Sequence, residues 1–259
     1  MGKLDGRVAA ITGGTAGIGR GIAQAFLAEG ASVALNGRNK EKGDKVLAEL
    51  GVGDRAIFIA GDVMKEDEID AFVDGAKAHF GHLDILVNNA GGAAVLLPTV
   101  DMPFADWEMT IRWNLHSTFI ATKRALPGMI EQGWGRIINI SSVEGKVGKP
   151  VITAYVAAKH GIIGLTKAVA REVATSGVTV NAICPGIIIT DIVRENGPRT
   201  AAAMGITFDE MIALYTAESA LQRPNTVEEV ANAALMLACD LGGGITGAAI
   251  NVDGGTSPY

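Results

Sequence analysis

Short runs of aliphatic and β-branched residues alternate along this chain with amphipathic stretches of helical length. Runs such as RVAAIT, ASVALN and VTVNAICPG contain consecutive apolar residues rather than an apolar residue at every second position. Strands that are buried on both faces have this pattern, because helices cover both sides of a parallel sheet. Strand–helix–strand units with right-handed crossovers build such a sheet. The pattern predicts an α/β fold with a doubly wound parallel sheet of about seven strands.

The 259 residues fit one α/β domain better than two small ones. Since 48% of them are hydrophobic, the chain can bury a large core. No change in composition marks a boundary, so we predict a single domain over residues 1–259. Within it we predict a long helix from Trp107 to Met129, a helix that carries Tyr155, and an irregular region at 187–220.

Composition argues against several classes of partner. The net charge of −6 and the absence of a Lys/Arg run disfavour nucleic acid. Cys184 and Cys239 lack metal-ligand spacing, so we expect core residues in a reducing compartment and no metal site. No apolar run has membrane-spanning length, and Gly2 lacks the Ser or Thr that myristoylation needs at position six. We therefore expect a cytoplasmic protein without a membrane partner.

The first predicted strand leads into a glycine-rich turn that opens a helix. AITGGTAGIGRG places Gly13, Gly17 and Gly19 in the spacing G-x-x-x-G-x-G. This spacing is a variant of the dinucleotide-binding fingerprint. The glycines let the backbone approach a pyrophosphate, which binds at the helix N-terminus among free N–H groups. The turn predicts a dinucleotide site, with a ligand-free glycine turn as the alternative.

The end of the second predicted strand bears on the choice between NAD and NADP. An acidic side chain there would bind the adenosine ribose and repel a 2′-phosphate. The run Asn36-Gly37-Arg38-Asn39 has no carboxylate. Arg38 is suited to a charge-assisted contact with a 2′-phosphate. The sequence favours NADP, and a solvated arginine is the alternative.

Two later strand ends also carry polar residues. Asp62, in AGDV, is placed either to bind the adenine amine or to cap the following helix. In NNAG, the asparagines Asn88 and Asn89 are suited to satisfy neighbouring strand backbone, and Gly91 leaves room for a cofactor ribose. We expect NNAG to serve both structure and binding.

Tyr155 and Lys159 lie four residues apart in a mostly apolar predicted helix, and thus on one face. A free tyrosine titrates near pH 10, whereas a nearby ammonium stabilises the phenolate. We expect the lysine, a positively charged nicotinamide and desolvation together to lower the tyrosine pKa. A shift of roughly 3 units corresponds to about 4 kcal/mol. The pair predicts general acid–base chemistry near neutral pH.

Other polar residues strengthen this interpretation. Ser142, thirteen residues before Tyr155, ends a predicted strand at the edge where open α/β sheets bind ligands. Its hydroxyl is suited to hold a substrate oxygen while Tyr155 gives or takes the proton. Asn114 is placed either to hold a water that links Lys159 to solvent or to act as a structural amide inside its helix.

Six motifs occur together and in order: T-G-x-x-x-G-I-G at 12–19, N-N-A-G at 88–91, Ser142, Tyr155-x-x-x-Lys159, Pro185–Gly186 and V-D-G-G at 252–255. In these motifs the chain resembles the short-chain dehydrogenase/reductase family over essentially its whole length. The resemblance implies a Rossmann-type fold, an NAD(P)-dependent oxidoreductase and a homotetramer built partly from the long helices.

The resemblance also implies roles for individual residues. Asn114, Ser142, Tyr155 and Lys159 would form the catalytic set, and Lys159 would also hold the nicotinamide ribose. Ser142 and Tyr155 would bind a ketone oxygen, hydride would pass from the nicotinamide to the carbonyl carbon, and Tyr155 would deliver the proton. The cofactor-binding residues implied are Gly13, Thr15, Gly17, Ile18, Gly19, Arg38, Asp62, Val63, Asn89, Ala90, Gly91, Tyr155, Lys159, Pro185, Gly186, Ile188 and Thr190.

The core looks most similar to the 3-hydroxybutyrate dehydrogenase-like and 3-oxoacyl carrier-protein reductase-like members of the family. The former are expected to hold the substrate carboxylate with a His and a Lys. Glu144 and Ile152 stand at the corresponding positions. A glutamate within about 4–6 Å of a carboxylate would repel it. We therefore expect an uncharged, fairly hydrophobic secondary alcohol or ketone rather than a small hydroxy acid.

The region 187–220 corresponds to the family's substrate lid. Its soft apolar side chains suit a hydrophobic substrate, and a helical pair that packs on itself is the alternative. The predicted pocket residues are Ala93, Glu144, Ile152, Met204 and Met211.

Three other functions stay open. A 3-oxoacyl thioester or polyketide ketoreductase would be favoured by cations at the pocket mouth, for which Arg194 and Arg199 are weak candidates. A 3-hydroxybutyrate dehydrogenase is less favoured. A dinucleotide-binding protein without catalysis is disfavoured by the intact Ser142, Tyr155 and Lys159.

Overall fold

Seven parallel strands form one sheet in this computed structural model, which describes residues 2–93 and 95–257. The order across the sheet is β3-β2-β1-β4-β5-β6-β7, so the chain runs outward from β1 in both directions. This doubly wound arrangement confirms the predicted fold class. The strands are β1 (Val8–Ile11), β2 (Ser32–Gly37), β3 (Ala56–Ala60), β4 (Ile85–Asn88), β5 (Gly135–Ile140), β6 (Val178–Pro185) and β7 (Ala249–Val252).

Nine α-helices occur in the part of the chain that the structure describes. Two of them end at a glycine, since α2 and α3 are followed by Gly51 and Gly81 in the left-handed conformation. The helices are α1 (Gly17–Ala28), α2 (Lys40–Leu50), α3 (Glu66–Phe80), α4 (Phe104–Ile111), α5 (Ser117–Glu131), α6 (Thr153–Val173), α7 (Asp191–Ala203), α8 (Phe208–Ala217) and α9 (Val227–Ala238).

Helices cover both faces of the sheet and create two separate cores. Along β1, Ala9 and Ile11 pack into one core with α1 and α9, while Val8 and Ala10 pack into the other with α3 and α5. Successive side chains point to opposite faces, so a strand between two cores is apolar on both faces along most of its length. This explains the continuous apolar runs of the sequence.

The long helix predicted at 107–129 spans a wider range and is interrupted by a π-helical turn. Helix α4 begins at Phe104, α5 ends at Glu131, and the residues Arg112–His116 between them form the π turn. Such turns insert one extra residue and often occur at functional sites. The turn contains the predicted site residue Asn114. The sequence pattern does not reveal it, because all the residues involved suit an ordinary helix.

The region 187–220 is not irregular, because most of it forms the helices α7 and α8. Thr190 caps α7, and Thr207 with Glu210 forms a capping box at the start of α8. The two helices pack on each other through Gly197 and Phe208. The segment therefore contains the helical pair named as the alternative, and its role as a substrate lid remains a prediction. The sequence pattern hides α7 because Gly197 and Pro198 lie inside it.

A buried polar ladder joins the ends of two central strands to two helices. Asn88 and Asn139 lie opposite each other on β4 and β5, and Asn88 Nδ2 donates to Asn139 Oδ1 at 2.8 Å. Asn88 Nδ2 also donates to Thr122 Oγ1 of α5, and Asn139 Nδ2 donates to Thr166 Oγ1 of α6 at 2.9 Å. The ladder therefore fixes α5 and α6 relative to the sheet.

The remaining sequence expectations concern burial. Cys184 and Cys239 are buried free thiols, as predicted for small core residues. A search of the described residues finds no helix that combines the length and hydropathy needed to cross a bilayer.

The ladder gives a prediction about stability. We expect Asn139→Ala to lower the free energy of unfolding by about 2–3 kcal/mol, because one buried N–H of Asn88 and one acceptor site of the Thr166 hydroxyl lose their partner. Denaturant unfolding measures the change. Asn232→Ala makes the same chemical change at an exposed position of α9, and we expect a change within about 0.5 kcal/mol. Equal losses for the two variants would contradict a structural role for the ladder.

Candidate active site

The turn between β1 and α1 presents free N–H groups at a helix N-terminus. Gly13 and Gly17 have φ values of +63° and +50°, a conformation that glycine adopts readily. Ala16 at the N-cap provides no capping side chain, and the first turn of α1 has no acidic residue. With the helix dipole, these N–H groups attract an anion such as a pyrophosphate. The turn thus fits the phosphates of a dinucleotide.

Asn89 and Thr12 hold the glycine turn against β4. Asn89 Nδ2 donates to the carbonyl oxygens of Thr12 and Gly13 at 2.9 and 3.1 Å. Thr12 Oγ1 accepts the N–H groups of Asn89 and Ala90 at 2.9 and 3.0 Å. The two asparagines of NNAG therefore have different tasks, since Asn88 belongs to the polar ladder. Sequence reasoning missed the role of Thr12, although the Thr-Gly pair was visible.

The end of β2 lies beside this turn. Gly14 N donates to Asn36 O at 3.0 Å, and a Cβ built on Gly37 would lie 3.3 Å from the Thr15 side chain. The next residue, Arg38, is exposed, and within the described residues it has no hydrogen bond or ion pair. Its guanidinium is therefore available to a ligand that binds at the turn.

Asp62 does not cap α3. Its Oδ1 accepts the N–H of Met64 at 3.0 Å, and its own N–H donates to Glu68 Oε2 at 2.6 Å. The N-cap position of α3 belongs to Lys65, so the capping alternative is wrong. Contact of Asp62 with an adenine amine remains a prediction. The neighbouring Val63 is buried.

Helix α6 presents Tyr155 in its first turn and Lys159 one turn later. Lys159 Nζ lies 5.4 Å from the centre of the Tyr155 ring and donates to Ile140 O, at the end of β5, at 2.9 Å. Lys159 is buried and Tyr155 is partly buried. The ammonium is thus held between the tyrosine and the carboxyl edge of the sheet, as the spacing of four predicts.

The pKa values differ from our expectation. Burial, followed by the charge of Glu144, raises the pKa of Tyr155 above its ordinary value, while a hydrogen bond with Ser142 lowers it. Burial also lowers the pKa of Lys159 to about 8, against the opposing influence of Cys184 and Glu144. We expected desolvation to help lower the tyrosine pKa. Loss of water instead disfavours the charged phenolate and so raises it.

Ser142 lies just beyond β5 and forms its side-chain hydrogen bonds with Glu144. Its Oγ donates to Glu144 Oε2 and accepts the N–H of Glu144 at 3.3 Å. The serine is buried and the glutamate is partly buried. The structure therefore brings together Ser142, Tyr155 and Lys159 as predicted, and it adds a carboxylate to them.

Asn114 has a structural role in the described contacts. Its Nδ2 donates to Gly92 O and Thr110 O at 3.0 and 2.9 Å, and its Oδ1 accepts the N–H of Gly92 at 3.1 Å. A Cβ built on Gly91 would lie 2.4 Å from Asn114 Oδ1 and 3.5 Å from Lys159 Nζ. Asn114 and Lys159 thus meet at Gly91. A water held by Asn114 remains a prediction.

The segment after β6 crosses the glycine turn. Gly186 N donates to Val252 O at 3.0 Å, and Ile188 is buried where it bridges to Asn225. Thr190 approaches Gly17, since a Cβ built on that glycine would lie 3.2 Å from Thr190 Cγ2. Pro185, Gly186, Ile188 and Thr190 therefore follow a path from the end of β6 to the glycine turn before α1, although the Thr190 hydroxyl caps α7.

The predicted pocket residues differ in exposure. Ala93 and Met204 are exposed, whereas Ile152 and Met211 are buried. Only Glu144 of the five forms a hydrogen bond with a catalytic candidate in the described residues. The assignment of the other four to a substrate pocket remains a prediction.

The structure also ties α8 to the loop before α6. Lys149 Nζ lies 3.7 Å from the centre of the Tyr215 ring and 3.3 Å from Glu218 Oε2. Burial, followed by the charge of Glu144, raises the pKa of Tyr215. Sequence reasoning missed Lys149, because no short motif connects it to a helix more than sixty residues away.

Comparison with known proteins agrees with this geometry. The family model described as short chain dehydrogenase matches residues 7–201. The chain belongs to the short-chain dehydrogenase family. It is therefore an oxidoreductase of a family that binds a nicotinamide dinucleotide.

Individual relatives match over almost the whole chain. A D-beta-hydroxybutyrate dehydrogenase of Rhizobium meliloti (strain 1021) is 42% identical, over 96% of this chain and 98% of the relative. A 3-oxoacyl-acyl-carrier-protein reductase of Aquifex aeolicus (strain VF5) is 37% identical, over 98% of both. A crystal structure of an actinorhodin polyketide ketoreductase variant with NADPH has a TM-score of 0.93 and 35% identity, with both chains fully covered.

The lowered pKa of Lys159 gives a prediction about pH. The ammonium is present below about pH 8 and is lost above it. If the ammonium holds the cofactor, kcat/KM for the cofactor falls about tenfold per pH unit above this value, because that ratio reports the free enzyme. Steady-state rates between pH 6 and 10 measure it. Lys167→Ala, at an exposed position of α6, should keep the same profile. A flat profile up to pH 9.5 would contradict the assignment.

Proposed function

We propose that this chain is an NAD(P)-dependent oxidoreductase that interconverts a ketone and a secondary alcohol, with Tyr155 as the general acid and base. The observation that carries the proposal is the convergence of three side chains at the carboxyl edge of the sheet: Ser142 lies just beyond β5, Tyr155 lies in the first turn of α6, and Lys159 Nζ lies 5.4 Å from the centre of the Tyr155 ring while it donates to Ile140 O. Open α/β sheets bind ligands at this edge. The phosphate-binding turn lies at the same edge, after β1.

Ser142, Tyr155 and Lys159 have separate roles in the proposed reaction. When bound, the nicotinamide dinucleotide supplies or accepts a hydride. Ser142 positions the substrate oxygen, and Tyr155 donates its phenolic proton to that oxygen. The raised pKa keeps Tyr155 protonated at neutral pH, which suits proton donation to a ketone. Lys159 then stabilises the phenolate that forms and holds the nicotinamide ribose.

We propose that the segment 187–220 acts as a substrate lid over this site. Support comes from the contact of Lys149 with Tyr215, which connects α8 to the loop before α6. The substrate is an uncharged secondary alcohol or ketone, since Glu144 would repel a carboxylate at this place. The same repulsion argues against a 3-hydroxybutyrate dehydrogenase despite the similarity to that relative.

A 3-oxoacyl thioester ketoreductase is the second candidate. Its support is the similarity to the carrier-protein reductase and the polyketide ketoreductase. Of the two cations considered for a carrier, Arg194 is exposed on α7, and the side chain of Arg199 lies outside the described residues.

We also propose a homotetramer. It is supported by large apolar side chains that are exposed on α4 and α5, among them Phe104, Met109, Phe119 and Ile130. A cytoplasmic location remains a prediction from sequence.

Removal of the Tyr155 hydroxyl tests the proposed chemistry. We expect Tyr155→Phe to lower kcat for ketone reduction by at least about 100-fold, because a positioned proton donor contributes factors of this size. Cofactor consumption with a panel of ketones measures it. Tyr215→Phe removes a comparable hydroxyl from α8 and should retain activity within about tenfold. A fully active Tyr155→Phe variant would refute the mechanism.

Arg38 tests the cofactor preference, which we propose to be NADP. We expect Arg38→Ala to weaken NADPH binding by about 10- to 100-fold and to leave NADH binding unchanged, because it removes a charge-assisted contact to the 2′-phosphate. Fluorescence titration of both cofactors measures the affinities. Arg171→Ala, at an exposed position of α6, serves as the control. Tighter binding of NADH, unaffected by either variant, would contradict the proposal.

A further inference from the structure

Glu144 accepts the hydrogen bond that Ser142 would otherwise donate to the substrate. The Ser142 hydroxyl donates to Glu144 Oε2, and the same oxygen accepts the N–H of Glu144 at 3.3 Å. A serine hydroxyl has a single proton to donate. While it is given to the carboxylate, it cannot also be given to a ketone oxygen.

No cation in the described part of the chain pairs with this carboxylate. The nearest lysines in sequence have other partners, since Lys146 Nζ donates to Ala249 O at 2.8 Å and Lys149 pairs with Glu218 at 3.3 Å. The charge of Glu144 instead acts on Tyr155 and Tyr215, whose pKa values it raises after burial does. The partly buried carboxylate is therefore a strong acceptor beside the reacting centre.

A plain ketone fits this arrangement poorly. It brings an acceptor oxygen to a serine whose proton points elsewhere, and close to a negative charge. A substrate that carries its own hydroxyl brings a donor. If that hydroxyl donates a hydrogen bond to Glu144, the Ser142 hydroxyl becomes free to donate one to the carbonyl oxygen. Glu144, Ser142 and both substrate oxygens then all have hydrogen-bond partners.

We infer that Glu144 is a specificity-determining residue that selects ketones with a hydroxyl group one or two carbons from the carbonyl, and the corresponding diols in the reverse direction. The distance follows from the chain of contacts: Glu144 lies one hydrogen bond from Ser142, which lies one hydrogen bond from the substrate oxygen. Lys159 already supplies a positive charge, so a neutral donor is favoured over an ammonium.

The inference rests on the proposed function and leaves its steps unchanged. The carbonyl carbon gains the hydride that the reduced nicotinamide loses, and the carbonyl oxygen gains the proton of Tyr155. The second hydroxyl only changes hydrogen-bond partners, so no further oxidant or reductant is required.

Matched ketones test the inference. Steady-state kcat/KM is measured for 3-hydroxy-2-butanone, 4-hydroxy-2-butanone and 2-butanone, with NADPH and with NADH. We expect the native enzyme to prefer at least one of the hydroxyketones by about tenfold or more, because a charge-assisted hydrogen bond is gained. In Glu144→Ala we expect a loss for the preferred hydroxyketone and a gain for 2-butanone, since Ser142 is released. Glu144→Gln, which keeps an acceptor without the charge, should lie between the two.

The controls separate this role from a structural one. Glu172→Gln removes a carboxylate from an exposed position near the end of α6, outside the proposed lid, and it should keep the native preference. Loss of activity by the same factor for all three ketones in both Glu144 variants would indicate a structural role and overturn the inference. Equal rates for the three ketones with the native enzyme would overturn it as well.

A binding measurement distinguishes failure of the inference from failure of the proposed function. Saturation-transfer NMR of Tyr155→Phe, which retains Ser142 and Glu144, compares binding of 3-hydroxy-2-butanone, 4-hydroxy-2-butanone and 2-butanone. If the native enzyme reduces none of them, the proposed function fails for these substrates, and the binding measurement alone tests the inference about Glu144. Stronger binding of a hydroxyketone, lost on adding Glu144→Ala, supports the inference. No preference in binding overturns it.

Discussion

The site depends on the hydrogen bond between the side chains of Asn88 and Asn139, which fixes the strands and helices that carry the site residues. It joins β4 to β5 at their carboxyl ends, in register, and each asparagine reaches one further helix. Helix α5 follows the π turn that contains Asn114, and α6 carries Tyr155 and Lys159. Because buried amides tolerate few alternative partners, this ladder positions the helices more exactly than apolar contacts alone.

Opposing electrostatic influences then set the chemistry. Burial disfavours charge on both Tyr155 and Lys159, so it raises one pKa and lowers the other. Glu144 disfavours a phenolate at Tyr155 but favours an ammonium at Lys159. The tyrosine thus starts as a proton donor beside a lysine whose charge depends on pH. These directions fit ketone reduction at neutral pH, with the lysine stabilising the phenolate after the proton has left.

The features that place this chain in its family differ from those that bear on its substrate. Sheet order, glycine turn and the Tyr155–Lys159 pair suit any oxidoreductase of this family. Glu144 is different, because it engages the serine hydroxyl itself. Identity near 40% to a hydroxy-acid enzyme and to a carrier-protein reductase therefore establishes the reaction type. The substrate is a separate question, on which the negative charge of Glu144 bears. Function resides in the site rather than in the fold.

The sequence by itself determined the fold class, the glycine turn before α1 and the spacing of Tyr155 and Lys159, because each depends on local periodicity or on fixed motif positions. It left the capping of α3 and the structure of 187–220 open, and it gave the wrong direction for the tyrosine pKa. Tertiary structure decided these, together with the π turn at Asn114 and the hydrogen bond between Ser142 and Glu144. Burial and side-chain direction depend on contacts between residues far apart in the chain, which local sequence patterns do not encode.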